Sequence, residues 1–265
     1  MRTLRAFVVF VPMLSHFISS EFNYDVTARV QEKLLDFTGM ISRATLIPVQ
    51  MLKYGLLNDS LPTSFPRIAL LPILNVYQNV MSSLYVCFSD GSFYLYGYSG
   101  TYFEYSAAES MNPNKLALLY FANADGSINS SAGNFTYSCK SRDWYSSAIS
   151  KQSQIWSKPY PSFGTNAPTI TLSHPVSCSF PYQRVIEKVG VLAADIYLSQ
   201  INEYLIQSFA HSDRIVYIVD KYSLVLLGTS WNVSNTNVIN YTNVSKHSCL
   251  HEFYNFSSSE LNVGP

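Results

Sequence analysis

The chain has 265 residues, enough for one large domain or two small ones, and a hydrophobic share of 48% supports a real core. Seventeen Lys and Arg balance seventeen Asp and Glu, and only 13% of residues are charged. That neutrality argues against a nucleic-acid partner or an anionic membrane surface. Twenty tyrosines and sixteen phenylalanines fit a weakly charged, aromatic-rich surface outside the cytosol.

Arg2 and Arg5 precede the apolar run Ala6–Leu14, which extends weakly through Phe17 and Ile18 to Ser19-Ser20. The run is short of the ~20 apolar residues that a spanning helix needs. Residues 1–20 therefore read as a cleavable signal peptide, or else as a retained signal anchor. Either way the bulk of the chain leaves the cytosol. Sequons at Asn58, Asn129, Asn134, Asn232, Asn240, Asn243 and Asn255 agree, for a eukaryotic source. Cys87, Cys139, Cys178 and Cys249 permit three complete pairings in an oxidising compartment. Cys87 alternates with Tyr85 on an apolar strand and reads as a buried free thiol.

Next, Val26, Val30, Leu34, Phe37, Ile41 and Ala44 recur at three- and four-residue steps, which predicts a long helix over 24–55 that Pro48 bends or ends. A Pro- and Leu-rich connector, 61–66, leads to an apolar segment, 68–81, read as a short helix packed on a sheet. Leu84–Phe88 and Ser92–Tyr96 are aromatic-rich strands, and the Asp90-Gly91 between them is a strong hairpin cue. Residues 122–136 read as a polar loop carrying two sequons. A short helix follows from Arg142 to Lys151, capped by Ser141. Strands are expected at Gln154–Ser157, Thr169–His174 and Val185–Asp195, then an amphipathic helix over 196–206. Ile215–Val219 and Leu224–Leu227, joined by a turn at Asp220, echo the earlier hairpin. After Trp231 the chain turns Asn- and Ser-rich, and 231–265 reads as a poorly packed tail.

The segment 137–145 places Tyr137, Arg142, Trp144 and Tyr145 within nine residues, and Asp195 closes the hydrophobic run Val189-Gly-Val-Leu-Ala-Ala-Asp195. A guanidinium matches a carboxylate bidentately, a carboxylate accepts from an ammonium, and aromatic rings add cation–π attraction. That mix suits a small zwitterion. The competing account is a helix start whose aromatics pack into a core and whose arginine forms a structural ion pair. No phosphate loop, hydrolase elbow, zinc-protease or dinucleotide motif appears. His247-Ser-Cys249-Leu-His251 lacks a second ligand cluster, so no metal or other cofactor is expected. His174 reads as a satisfied core or rim histidine. Nothing resembles a nucleophile with a base and an orienting partner, so catalysis within these residues is not expected.

The order R-x-W-Y-x-x-A from Arg142, then Ile155–Tyr160, Pro168–Pro175 and Gly190–Ile196, resembles the extracellular double Cache sensor domains. The similarity spans about residues 80 to 230, with 137–198 its specific part. Within that family, a subgroup binds free amino acids through Y-x4-R-x-W-Y and a distant Asp. By this resemblance Tyr137, Arg142 and Trp144 would hold a ligand carboxylate, and Tyr145 and Asp195 its amino group. Many relatives carry an acid shortly after the W-x-x-P-Y segment, where this chain reads Pro161-Ser162-Phe163. A Cys139–Cys178 disulfide would pin the mouth of such a pocket.

The resemblance implies an α+β fold: a long N-terminal stalk helix and a PAS-like antiparallel sheet module, followed by an incomplete second PAS-like module. The expected divisions are leader 1–20, stalk 21–56, membrane-distal module 57–196, start of a truncated membrane-proximal module 197–230, and tail 231–265. The expected function is an extracytoplasmic sensor module that binds an amino acid or related amine and passes occupancy to a membrane-linked output. The alternatives are a fragment of a receptor cyclase, kinase or chemoreceptor lacking its output domain, or a ligand-free secreted, adhesion or accessory-subunit module. Membrane association would run through the N-terminus or a missing C-terminal segment, and a homodimer through the stalk is implied by resemblance.

Overall fold

The computed structural model describes residues 20–54, 65–108, 116–178, 188–208, 216–219, 225–229 and 239–240. The leader, the sequons at Asn58, Asn232 and Asn243 to Asn255, and the His247–His251 cluster lie outside them. The chain divides into two units, Leu34–Ile201 and a second formed by Met1–Lys33 with Asn202–Pro265.

Helix α1 runs Ser20–Lys53 and continues through Pro48 without ending there. In the larger unit its buried residues Phe37, Ile41, Ala44, Pro48 and Leu52 recur every three or four positions, which lays one apolar stripe along the rod. The apolar segment after the connector forms a π-helical turn, Pro66–Leu70, continuing directly into α2, Leu71–Tyr77.

The larger unit is built on a nine-stranded sheet. Its strands are β1 Ser83–Phe88, β2 Phe93–Tyr98, β3 Phe103–Ala108, β4 Leu116–Ala122, β5 Ile128–Thr136, β6 Ile155–Trp156, β7 Tyr160–Pro161, β8 Pro168–Cys178 and β9 Lys188–Tyr197. The order is β5-β4-β3-β2-β1-β9-β8-β6, with β7 also on β8. Every pairing is antiparallel. Helix α3, Asp143–Lys151, follows a 3-10 turn at Cys139–Ser141, and α4 spans Leu198–Ser208. In the smaller unit β10 Val216–Val219 pairs with β11 Val225–Thr229, which pairs with β12 Ile239–Asn240.

Because strand side chains alternate, the register sorts the central residues onto two faces. Tyr85, Cys87, Val191 and Ala193 point one way and join Cys139, Trp144, Tyr145 and Ala148 in a core cluster. Leu84, Val86, Leu192 and Ala194 are fully buried on the other face, where His174 stands opposite Leu192. Burial on both faces explains why β1 is buried at every position. Gly190, opposite Phe88, needs its missing side chain, since a Cβ there would lie 2.6 Å from the Cys87 carbonyl oxygen.

His174 links this second face to α1. Its Nε2 lies 2.8 Å from Thr45 Oγ1, and both residues are buried. The Thr45 hydroxyl also sits 3.0 Å from the Ile41 carbonyl, so it donates there and accepts from a neutral imidazole Nε2–H. Burial lowers the His174 pKa from 6.5 to about 4. The sign follows directly. Below pH 6.5 the unfolded chain takes up a proton that the native ring refuses, so this residue costs stability as pH falls towards 4. The full effect is about 3 kcal/mol. Urea melts across this range should show a steeper fall for the native sequence than for His174→Asn; superimposable pH profiles would refute the assignment.

Four sequence expectations change here. Residues 122–136 are largely strand rather than loop: β5 pairs with β4 at the sheet edge, where exposure at seven of nine positions explains its polar sequence. Ser141 does not cap α3. Its hydroxyl donates to the Ser138 carbonyl, and Arg142, extended at φ −88° and ψ 143°, occupies the cap position. Finally, Cys139 is bonded to Cys87, which excludes the Cys139–Cys178 pairing and the reading of Cys87 as a free thiol. The 3-10 turn sets Cys139 over β1 with the Cα atoms 6.1 Å apart, inside the range that a disulfide spans.

Candidate functional site

The floor of the site is the sheet face that carries Tyr85 and Asp195. Antiparallel register sets Asp195 of β9 between Ser83 of β1 and Thr171 of β8. Its Oδ1 accepts from Tyr85 Oη at 2.7 Å and Thr171 Oγ1 at 2.7 Å, with Tyr160 Oη 3.4 Å away. Tyr160 Oη also lies 2.6 Å from Thr171 Oγ1. With the Thr171 proton committed to the acid, Tyr160 is the donor to that hydroxyl. The Ser82 hydroxyl holds the Asp195 main-chain carbonyl at 2.9 Å.

Burial pushes the Asp195 carboxyl above the usual carboxylate range, and hydrogen bonds from Thr171, Tyr85, Ser83 and Tyr160 oppose that shift. The same burial, with Asp195 nearby, raises the phenols of Tyr85 and Tyr160. These tyrosines therefore stay protonated and act as donors. A carboxylate partly removed from water attracts a cation more strongly than a solvated one.

The opposite wall comes from the segment leading into α3. Trp144 is buried edge-on against Tyr85, with ring centroids 5.0 Å apart. Tyr137 packs on Phe93 at 5.0 Å and on Phe163 at 4.9 Å. Phe163 belongs to the β7–β8 loop yet also meets Phe135 of β5 at 5.5 Å, so it straps across the sheet face. The Arg142 guanidinium carbon lies 5.9 Å from the ring centres of both Tyr160 and Phe163. The Tyr137 phenol is raised first by burial and then by Asp195, with Arg142 opposing. It feels both charges of the site.

Of the residues singled out in the sequence, Tyr137, Arg142, Trp144 and Asp195 thus gather around Tyr85 and Tyr160. Tyr145 is buried in the core cluster. Burial raises its phenol, and the charge acting on it is that of Asp90 in the β1–β2 turn. Sequence reasoning missed Tyr85, Thr171, Tyr160 and Phe163 as site residues. Tyr160 ends the W-x-x-P-Y segment and could have been found there; Tyr85 had no signal beyond its alternation with Cys87. Ser162 is buried and bonded to Thr165, and Phe163 forms the strap. Among the described residues no group of three His, Cys, Asp or Glu side chains could hold a metal ion. No described helix is long and apolar enough to cross a membrane.

Residues 92–203 match the family described as methyl-accepting chemotaxis protein-like, first PDC sensor domain. No curated protein matches the chain. Among solved structures, the ligand-binding domain of the Pseudomonas aeruginosa amino acid chemoreceptor PctC, in complex with GABA, aligns at 17% identity and a TM-score of 0.43, over 68% of this chain and 66% of that one. The ligand-binding domain of the Campylobacter jejuni chemoreceptor Tlp3, with L-norvaline, aligns at 18% identity and a TM-score of 0.43, over 69% and 60%. That of Pseudomonas aeruginosa PctB, with L-Arg, aligns at 15% identity and a TM-score of 0.42, over 73% and 60%. The chain thus spans 60–66% of the length of these structures. By the match over 92–203, and with its helix and antiparallel sheet, this part of the chain is similar to a PAS-like sensor domain of the PDC class.

Proposed function

We propose that this domain binds a free amino acid or related amine on the outer side of a membrane and passes occupancy to a membrane-linked output. One observation carries the reading: Asp195 and Arg142 flank the same ring, that of Tyr160, on one sheet face. The Tyr160 hydroxyl is 3.4 Å from the acid, and the guanidinium carbon is 5.9 Å from the ring centre. An ammonium would sit at Asp195, a carboxylate at Arg142, and Tyr137, Trp144 and Phe163 would exclude water. Tyr145 would support the amino end from the core.

The ligand would bridge the sheet floor and the 137–163 wall and so favour the state in which both are drawn together. Strand β8 offers a route onward. Thr171 contacts the acid, while His174, on the other face, contacts Thr45 of α1. The stalk helix would carry the change along a rigid rod.

A thermal-shift screen of the twenty amino acids and common amines tests the proposal. A binder at a hundred times its Kd should raise Tm by about 5–10 °C. Silence across the panel would favour a ligand-free structural role instead.

A further inference from the structure

A second acid stands on the same floor as Asp195. Residues directly opposite one another in a sheet share a face. The register runs Asp195–Ser83–Gly97–Glu104–Phe121 across β9, β1, β2, β3 and β4. Two acids therefore stand in one row on one face, with only a serine and a glycine between them. Glu104 leans inward over that gap, and Asp195 is shared between Ser83 and Thr171 of β8. Ser83 hydrogen-bonds to the Asp195 carboxyl, and Glu104 Oε2 lies 3.8 Å from where a Gly97 Cβ would stand. Three strand spacings put the Cα atoms about 14 Å apart, and the Glu104 carboxylate reaches into that span.

Two neighbours give this second pole its chemistry. Ser106, two residues beyond Glu104 and so on the same face, is 1% exposed, and its hydroxyl has no hydrogen-bond partner. It stands opposite Leu95, which stands opposite Tyr85 on the site floor. Phe121, opposite Glu104, packs edge-on with Tyr102 at 4.8 Å, giving the carboxylate an aromatic flank. Glu104 is half-buried, with no ion-pair partner among the described residues, and burial raises its pKa. A buried hydroxyl left unpaired is costly, and an acid beside rings is a good cation seat.

We propose that Glu104 and Ser106 form a second pole of the ligand site that takes a cationic side chain, making the ligand a basic L-amino acid. The inference rests on the amino-acid reading above. The α-ammonium sits at Asp195, the carboxylate turns towards Arg142, and the aliphatic chain crosses Ser83 and Gly97 to Glu104.

Calorimetry on the full chain with L-lysine and L-norleucine, which share a carbon skeleton and differ in the terminal amine, decides it. Lysine should bind about 10- to 100-fold tighter, the worth of a hydrogen bond to a charged group. Glu104→Gln should erase that preference by weakening lysine binding. Equal binding of the two ligands, tighter norleucine binding, or a lysine preference that survives Glu104→Gln would each overturn this inference and leave the amino-acid reading standing. Silence for both ligands and for every other amino acid would overturn both.

Discussion

Asp195→Ala and Arg142→Ala are each expected to abolish amino-acid binding while the fold persists. Removing one charged partner from a desolvated, hydrogen-bonded pair costs about 2–5 kcal/mol, or roughly 30- to several-thousand-fold in Kd. The reason is asymmetry. Asp195 is held by Tyr85 and Thr171 at 2.7 Å each, so its desolvation has already been met in the folded protein. A ligand ammonium gains the attraction without that cost. Arg142 lies between two rings, and its planar fork is aimed by packing before any carboxylate arrives.

Loss of Asp195 also leaves the Tyr85 and Thr171 hydroxyls without their acceptor, at about 1–3 kcal/mol of stability. Asp195→Asn keeps an acceptor there and separates binding from folding. Because burial raises the Asp195 pKa, affinity for an ammonium should also fall with pH sooner than an ordinary carboxylate would predict. Calorimetry beside thermal melts checks all of this. Native affinity in either alanine variant would end the assignment of the two poles.

Breaking the Cys87–Cys139 bond should have the second largest effect. Its cysteines are 52 residues apart in sequence, and closing a loop of that length stabilises a fold by about 2–4 kcal/mol through the unfolded chain. The bond ties β1 to the turn that sets Arg142 at the start of α3. Cys87→Ala, or reduction of the native protein, should therefore lower the urea midpoint and weaken ligand binding together. Unchanged midpoints with and without reductant would show that the bond contributes nothing. A lower midpoint with native affinity would show that α3 is positioned by packing alone.

Some elements were legible because their physics is local. The β1–β2 hairpin needed only Asp90 and Gly91: the Asp90 carboxylate accepts from the Ser92 amide at 2.9 Å, and Gly91 takes φ +89°. The α1 stripe needed only its helical spacing. Strand β5 was misread because an edge strand with exposed positions has no apolar alternation to reveal it. Ser141 looked like a helix cap, but its hydroxyl found the Ser138 carbonyl in the preceding 3-10 turn.

The sequence by itself determined the chemistry: one guanidinium, one acid closing an apolar run, and aromatics packed between them, on a helix-plus-strand pattern. What only the tertiary structure decided is which distant residues complete that chemistry. Tyr85 stands 110 residues from the acid it serves, Cys139 pairs with Cys87 rather than Cys178, and Glu104 shares a row with Asp195. The 3-10 turn at Cys139–Ser141 fixes the disulfide, and strand register fixes the other two. Sheet neighbours are set by pairing between strands far apart in the chain, and a slip of one residue would send each of these side chains to the opposite face.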